Sequence, residues 1–150
     1  TNVASSLDLL PTVCELANAE LPPDRPLDGI SLVPLLKSGE IPERTKPLVW
    51  VYYNAINDAR VAMRHGPWKV LARLNSGRLP RYENLTPPRL AEARDAELTD
   101  FEIFNLADDP GETLNLAGRG LANDADLKEL LKAEYQSLAN DSFAWSRPAQ

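Results

Sequence analysis

Residues 101–117, with the sequence FEIFNLADDPGETLNLA, constrain the fold of this 150-residue chain more than any other stretch. Apolar and polar residues alternate imperfectly over the first six positions, which predicts a strand with both faces partly covered. The strand must then end, because Pro110 has a fixed φ and no N–H donor, while Gly111 permits a positive φ. The chain beyond the turn leads to the last helix. We therefore predict that the core forms between this strand and that helix.

Three further strands are predicted earlier in the chain. Residues 47–53 are rich in aromatic and β-branched side chains, which are typical of strands. Residues 59–64 and 68–74 flank a short turn at 65–67, and such a turn predicts an antiparallel hairpin.

Helices are predicted at both ends of the chain. At the N-terminal end, Leu9, Val13, Leu16 and Ala17 recur at helical spacing after Asp8, a candidate cap, which predicts a short helix with one buried apolar stripe. A second short helix is predicted where Pro34 can occupy the first turn and Gly39 the stop. At the C-terminal end, an amphipathic helix begins at residue 123 or 124. Its face towards the sheet carries Leu127, Leu130, Leu131, Tyr135 and Leu138.

The predicted fold class is α+β: a small four-stranded antiparallel sheet packed by a C-terminal amphipathic helix, with short N-terminal helices. A chain of this length is expected to form a single domain. The expected parts are a helical and loop lead-in at 1–46, the sheet at 47–106 with a long loop at 75–99, a turn and C-terminal helix at 107–141, and a tail at 142–150. Within the long loop, the charged residues 89–97 could form one or two helical turns.

Composition excludes several classes of function. A net charge of −6 with scattered Lys and Arg argues against a nucleic-acid partner. No apolar run approaches the roughly 18 residues of a membrane span, so no membrane partner is expected either. Cys14 and His65 are the only residues of their types, which excludes an internal disulfide and a zinc site built from this chain alone.

No catalytic residue or metal ligand is assigned from motifs. The sequence has no Gly-x-Ser-x-Gly elbow, no Gly-rich phosphate loop and no His-Glu-x-x-His. Tyr52, Tyr53 and Asn54 end the first strand, where they could stack on and hydrogen-bond a ring-bearing substrate; half of this patch must also pack the core. His65 joins them as a candidate residue of the substrate rim, with an exposed turn histidine as the alternative.

Three blocks of the sequence resemble the type I sulfatases of the alkaline phosphatase superfamily. Residues 6–19 and 27–36 resemble the segment that opens the C-terminal part of those enzymes. Residues 64–71, RHGPWKVL, resemble their Arg-x-Gly-x-Trp-Lys-Leu hairpin. Residues 101–117 resemble their Leu-Tyr-Asp-Leu…Asp-Pro-x-Glu-x-x-Asn-Leu ending. The three blocks occur in order and cover nearly the whole chain apart from 75–99 and the tail.

The resemblance implies the C-terminal subdomain of an enzyme that hydrolyses sulfate esters. The family's formylglycine arises from a Cys/Ser-x-Pro/Ala-x-Arg motif, which the sequence around Cys14 does not match. The resemblance implies that the family's calcium ion is bound in an N-terminal catalytic domain of the same polypeptide, which would be the partner of this chain. No cofactor and no activity are expected in this chain alone. The resemblance implies a periplasmic, secreted or lysosomal-type parent enzyme, and the sequence itself leaves the compartment unknown.

Two alternatives remain open at the level of sequence. The chain could be the tail of a phosphonate monoester or phosphodiester hydrolase of the same superfamily, or a free-standing interaction or oligomerisation module. If a parent domain normally covers part of the surface, that part should be apolar, with Leu9, Val49, Val51 and Leu71 as candidates. The isolated chain would then form homo-oligomers.

Overall fold

The computed structural model describes residues 3–40, 42–53, 58–76 and 86–143. The chain divides into two compact units, Thr1–Leu48 and Val49–Gln150, which we call the N-terminal unit and the C-terminal unit. None of the helices in these described ranges has the length and apolar character needed to cross a bilayer.

The N-terminal unit contains a 3-10 turn at Ser6–Asp8 and two helices, α1 at Leu9–Leu16 and α2 at Val33–Ser38. Gly39 ends α2 with a φ of 73°, a left-handed conformation that glycine adopts without strain. The predicted stop of this helix is therefore confirmed.

Asp8 is the centre of the N-terminal unit. Its side chain is fully buried and accepts hydrogen bonds from the backbone N–H of Ser5 at 2.7 Å and of Ile30 at 2.9 Å. Arg44 donates to the same carboxylate at 2.7 Å. Burial alone raises the pKa of Asp8, but the hydrogen bonds from Arg44, Ile30 and Ser5 outweigh it and hold the pKa below its ordinary value.

The buried stripe predicted for α1 is wrong. Leu9, Val13 and Leu16 are 62%, 59% and 59% exposed, whereas Pro11 and Thr12 are buried. The opposite side of the helix is buried instead, because the Thr12 side chain is hydrogen-bonded to other parts of the N-terminal unit. The Thr12 hydroxyl donates to the Asp8 carbonyl at 2.6 Å and accepts from the Leu32 backbone at 2.9 Å.

The four strands follow the order β1-β2-β3-β4 in one antiparallel sheet. Their bounds are Leu48–Tyr52 for β1, Arg60–His65 for β2, Trp68–Leu74 for β3 and Leu98–Asn105 for β4. His65 stands directly opposite Trp68 across a two-residue turn. Gly66 opens that turn with a φ of 54°, as a type II′ turn requires of its first central residue. The predicted hairpin is confirmed.

The segment predicted as a long surface loop contains a nine-residue helix, α3, at Pro87–Asp95. Leu90 and Ala93 bury its inner side. Arg94 donates to the carbonyl oxygens of Ala139, Asn140 and Ser142, which lie at the end of the last helix and would otherwise lack partners. Tertiary contacts therefore hold α3 in place, because its own sequence carries few apolar residues.

The last helix, α4, spans Asp124–Asp141 with Asn123 at its N-cap position, close to the predicted start. It covers one face of the sheet and completes an apolar core. The fully or nearly buried members of that core are Ala59, Val61, Met63, Val70, Ala72, Leu74, Ala96, Leu98, Ile103, Leu127, Leu131, Tyr135 and Ala139. Val49 and Val51 pack against this core, so their predicted place on an exposed apolar surface is wrong.

Both faces of β4 are covered near its end, as the alternation predicts. Ile103 is fully buried in the core, and Phe104, which points to the opposite face, is 5% exposed. The chain after the turn returns along this strand. The Asn115 side chain accepts from the Ile103 N–H at 3.0 Å, and the Leu116 N–H donates to the Ile103 carbonyl at 2.8 Å.

Candidate functional site

Lys69 and Glu112 join the hairpin motif to the turn motif. Lys69, on β3, places its Nζ 2.7 Å and 2.6 Å from the two carboxylate oxygens of Glu112, in the turn after β4. The two side chains are 29% and 32% exposed, so solvent screens the pair only in part. Glu112 adopts a φ of 55°. The ion pair therefore links two segments that lie 43 residues apart in the sequence.

The neighbouring carboxylates, Asp108 and Asp109, form hydrogen bonds within the turn. Asp109 accepts from the N–H of Leu114 at 2.9 Å and from the N–H of Thr113 at 2.8 Å, and these bonds hold its pKa below the ordinary value. Asp108 accepts from the Asn105 amide at 2.7 Å. Among the described residues, no group of three or more His, Cys, Asp or Glu side chains is placed to hold a metal ion.

The predicted substrate-rim residues of β1 differ in environment. Tyr52 is 59% exposed. Tyr53 packs against the core, as does Tyr135, whose hydroxyl donates to the Ala93 carbonyl. Burial raises the pKa of both phenols above the ordinary value. Asn54 lies outside the described residues.

His65 lies beside a cavity of about 340 Å³ between the hairpin turn and the start of α4. Trp68, Asn123 and Asp126 also line it. Sequence reasoning named His65 but missed the other three. The sequence predicted a turn at 65–67, whereas the structure places His65 at the end of β2, directly opposite Trp68. The approach of Asn123 and Asp126 depends on the packing of α4 and has no local signal.

The structure does not bring Tyr52 and Tyr53 together with His65. Tyr52 ends β1, and the chain re-enters the sheet at Arg60, the first residue of β2. His65 is the last residue of that six-residue strand. At about 3.3 Å per residue the two ends of β2 are ~16 Å apart. The candidates therefore define two separate places at opposite ends of the sheet.

The sheet face opposite α4 carries basic residues in directly opposed pairs, Arg60 with Arg73 and Arg64 with Lys69. Like charges in this position destabilise a sheet unless they are compensated. Arg60, Lys69 and Arg73 each lie 2.6–3.9 Å from a carboxylate. In the described part of the chain, Arg64 has no such partner, and its buried Nε has no acceptor. Most of the positive charge on this face is thus compensated within the unit.

The exposed stripe of α1 is the candidate docking surface of the N-terminal unit. It consists of Leu9, Val13 and Leu16, each more than half exposed, with Leu10 46% exposed beside them. Contiguous apolar side chains of this kind on a soluble protein usually mark a contact with another protein surface.

The sequence was also compared with known proteins. No family model matches it. It is 35% identical over 99% of its length to arylsulfatase A of Bos taurus, and 36% identical over 71% of its length to choline-sulfatase of Rhizobium meliloti. It is 30% identical over 95% of its length to Delta 4,5-hexuronate-2-O-sulfatase of Bacteroides thetaiotaomicron.

Two solved chains share the fold. Both are described in connection with the metabolism of multiple glycosaminoglycans by Bacteroides thetaiotaomicron, under names that end in "sulf". One superimposes with a TM-score of 0.51 at 21% identity, covering 85% of this chain and 24% of the solved one. The other gives a TM-score of 0.56 at 12% identity, covering 93% of this chain and 28% of the solved one.

The sequence motifs, the α+β fold and these relatives all indicate the same family. The chain belongs to the sulfatase family, and its fold fits the C-terminal subdomain of a type I sulfatase. It spans 30% of the length of arylsulfatase A, 18% of that of choline-sulfatase and 24% of that of the hexuronate sulfatase.

Proposed function

We propose that this chain is the C-terminal accessory subdomain of an enzyme that hydrolyses sulfate esters. The observation that carries the proposal is the 35% identity to an arylsulfatase over 99% of the chain, which spans 30% of that relative. In this proposal, an N-terminal catalytic domain of the same polypeptide supplies the reacting groups. The subdomain supports that domain and shapes the substrate entrance.

The residues of this chain do not fit the two groups that the family uses for chemistry. Cys14 stands in Cys-Glu-Leu-Ala-Asn rather than in a formylglycine motif. Asp108 and Asp109 accept hydrogen bonds within their own turn, and Asp8 is bound to Arg44. We therefore assign the formylglycine and the calcium ion to the catalytic domain.

We propose that the catalytic domain covers the stripe of α1. Leu9, Val13 and Leu16 present apolar surface that a neighbouring domain would remove from water, at about 25 cal/mol per Å² buried. Leu9→Glu together with Val13→Glu in the full-length enzyme should lower its thermal stability. In the isolated chain, the same variant should suppress any self-association seen by light scattering. Leu114→Glu, which changes a leucine that is 47% exposed on the C-terminal unit, is the control.

The substrate rim is assigned to the exposed end of β1. Tyr52 is the residue there whose ring is available for stacking, and Asn54 follows two positions later. Tyr53 packs against the core, which suits it to supporting this end of the strand. His65 stands apart at the other end of the sheet and would contact a different part of any ligand. By relation to sulfatases, we propose a secreted, periplasmic or lysosomal-type parent enzyme.

The activity is tested by comparing the full-length enzyme with this chain on 4-nitrophenyl sulfate, 4-nitrophenyl phosphate and a 4-nitrophenyl phosphonate monoester. We expect turnover of the sulfate by the full-length enzyme and a rate equal to the buffer blank for this chain. Preference for the phosphate or phosphonate would establish the phosphohydrolase alternative. Sulfate turnover by this chain alone would refute the accessory role.

A further inference from the structure

The cavity beside His65 has the size and lining of a small-ligand site. Its volume of about 340 Å³ falls at the lower end of the range for ligand pockets. The hairpin contributes His65 and Trp68, and α4 and its N-cap contribute Asn123, Asp126, Leu127 and Leu130. One aromatic ring and two leucines thus meet three polar side chains at one place.

The polar side chains of this cavity are available for a ligand. Asn123 occupies the N-cap position of α4, where an asparagine normally accepts a hydrogen bond from the helix, yet its side chain makes no such bond. Within the described residues, the side chains of His65 and Asp126 also have no hydrogen bond or ion pair. The acidic neighbour Asp124 is different, because it is paired with Lys128.

The chemistry of the lining selects a hydroxyl-rich, uncharged ring. Hydroxyl groups both donate and accept, and an amide, an imidazole, a carboxylate and an indole N–H together provide both functions. Trp68 packs partly against the core, and the part of its ring that lines the cavity offers apolar surface to the C–H groups of a ring. Asp126 is the acidic residue of the lining, so its carboxylate opposes a sulfate or phosphate at this position. A quaternary ammonium ion would instead favour a cage of several aromatic rings.

We infer that this cavity binds an uncharged pyranose ring of a glycan. The inference goes beyond the proposed function, because it concerns binding by this chain and requires no hydrolysis. A negative result in the activity assay would therefore leave it standing, and a negative result here would leave the sulfatase proposal standing.

The test is a titration of the 15N-labelled chain, followed by the indole N–H signal of Trp68. Trp68→Phe identifies that signal among those of the three tryptophans. The probes are cellobiose, mannobiose and diacetylchitobiose, with glucose 6-sulfate compared against glucose. We expect a saturable shift of the Trp68 signal with at least one neutral disaccharide, and weaker binding of glucose 6-sulfate than of glucose.

Variants distinguish specific binding in the cavity from nonspecific contact with the protein surface. Asn123→Ala and Asp126→Ala should each weaken binding by about fivefold, the equivalent of one lost hydrogen bond of about 1 kcal/mol. Glu134→Ala, a matched change elsewhere on α4, should leave the affinity unchanged. Amide dispersion verifies that each variant is folded. The inference is overturned if no neutral disaccharide gives a saturable shift, if the two cavity variants bind as the parent does, or if glucose 6-sulfate binds more tightly than glucose.

Discussion

The two units of this chain are stabilised in opposite ways. The N-terminal unit is organised around one buried carboxylate, Asp8, with Arg44 and two backbone donors, while the apolar stripe of α1 stays exposed. The C-terminal unit buries its apolar residues between four strands and α4. A buried ion pair defines one geometry but adds little net stability, because desolvation offsets most of the attraction. Apolar burial is the dominant stabilising term.

This difference suggests a division of roles. The C-terminal unit has the apolar core of an independently stable fold. The N-terminal unit has a defined shape without such a core, and its apolar residues are available to a neighbouring surface. The following changes test the contrast, from the largest expected effect to the smallest.

Asp8→Ala should have the largest effect. It leaves Arg44 partly buried without its anion and removes the acceptor for the Ser5 and Ile30 N–H groups. We expect a loss of about 3–5 kcal/mol from the unfolding free energy of the N-terminal unit. Hydrogen exchange with mass spectrometry should show faster exchange over residues 5–40 than in the parent. Asp24→Ala, at an exposed pair with Arg25, is the control, and equal effects of the two changes would contradict the central role of Asp8.

Leu131→Ala should destabilise the other unit. Leu131 is fully buried in the core of the C-terminal unit, and truncation of such a leucine costs about 2–5 kcal/mol. Urea unfolding, monitored by tryptophan fluorescence, measures this loss of unfolding free energy. Leu114→Ala, at an exposed site, should change stability by less than about 0.5 kcal/mol. If Leu131→Ala lowered the unfolding free energy by less than about 0.5 kcal/mol, α4 would not cover the core as the structure shows.

Gly29→Ala tests how closely two segments of the N-terminal unit approach. A Cβ at this position would lie 2.0 Å from the Leu7 carbonyl oxygen, a backbone atom that cannot move without displacing Asp8. We expect a loss of about 1–3 kcal/mol, measured by thermal unfolding. At Gly111 the added methyl would meet a Thr113 methyl at 3.5 Å and an Asp109 carboxylate oxygen at 3.8 Å, both ordinary van der Waals distances, so Gly111→Ala should be much milder. A larger loss of stability for Gly111→Ala than for Gly29→Ala would show that residues 7–8 and 29–30 do not pack closely.

Acid should weaken the N-terminal unit through Asp8. Because the folded pKa of Asp8 is depressed below its unfolded value of about 3.9, the unfolded state binds more protons in the intervening range. The stabilising effect is therefore complete above about pH 5 and is lost as the pH falls through the folded pKa, by about 1.4 kcal/mol per unit of depression. The stability difference between the parent and Asp8→Asn should shrink over this range. A constant difference would refute the assignment, since the other carboxylates are common to both proteins.

Local pattern predicted the sheet well and α3 poorly. The bounds of β3 match the prediction, and those of β1 and β2 differ by one residue at each end, because strand alternation and turn residues are local signals. The start of β4 was predicted three residues late, since Leu98 gains its strand conformation by pairing with Leu74. The nine residues of α3 carry little apolar signal, and their order comes from contacts with α4.

For the candidate sites, sequence supplied single residues and structure supplied their grouping. Tyr52 and His65 were named from their residue types and their places at strand ends. The sequence alone could not show that they lie at opposite ends of the sheet, or that Asn123 and Asp126 stand beside His65. These neighbours are more than 50 residues apart in the chain.

The sequence by itself determined the strand set, the presence of a short turn around Gly66, the last helix and the relation to sulfatases. Only the tertiary structure decided which apolar stripe is covered. The stripes of α1 and α4 have the same helical periodicity, yet Leu131 is buried and Leu9 is exposed. Periodicity arises from neighbouring residues along one helix, whereas burial requires a partner surface from a distant part of the chain.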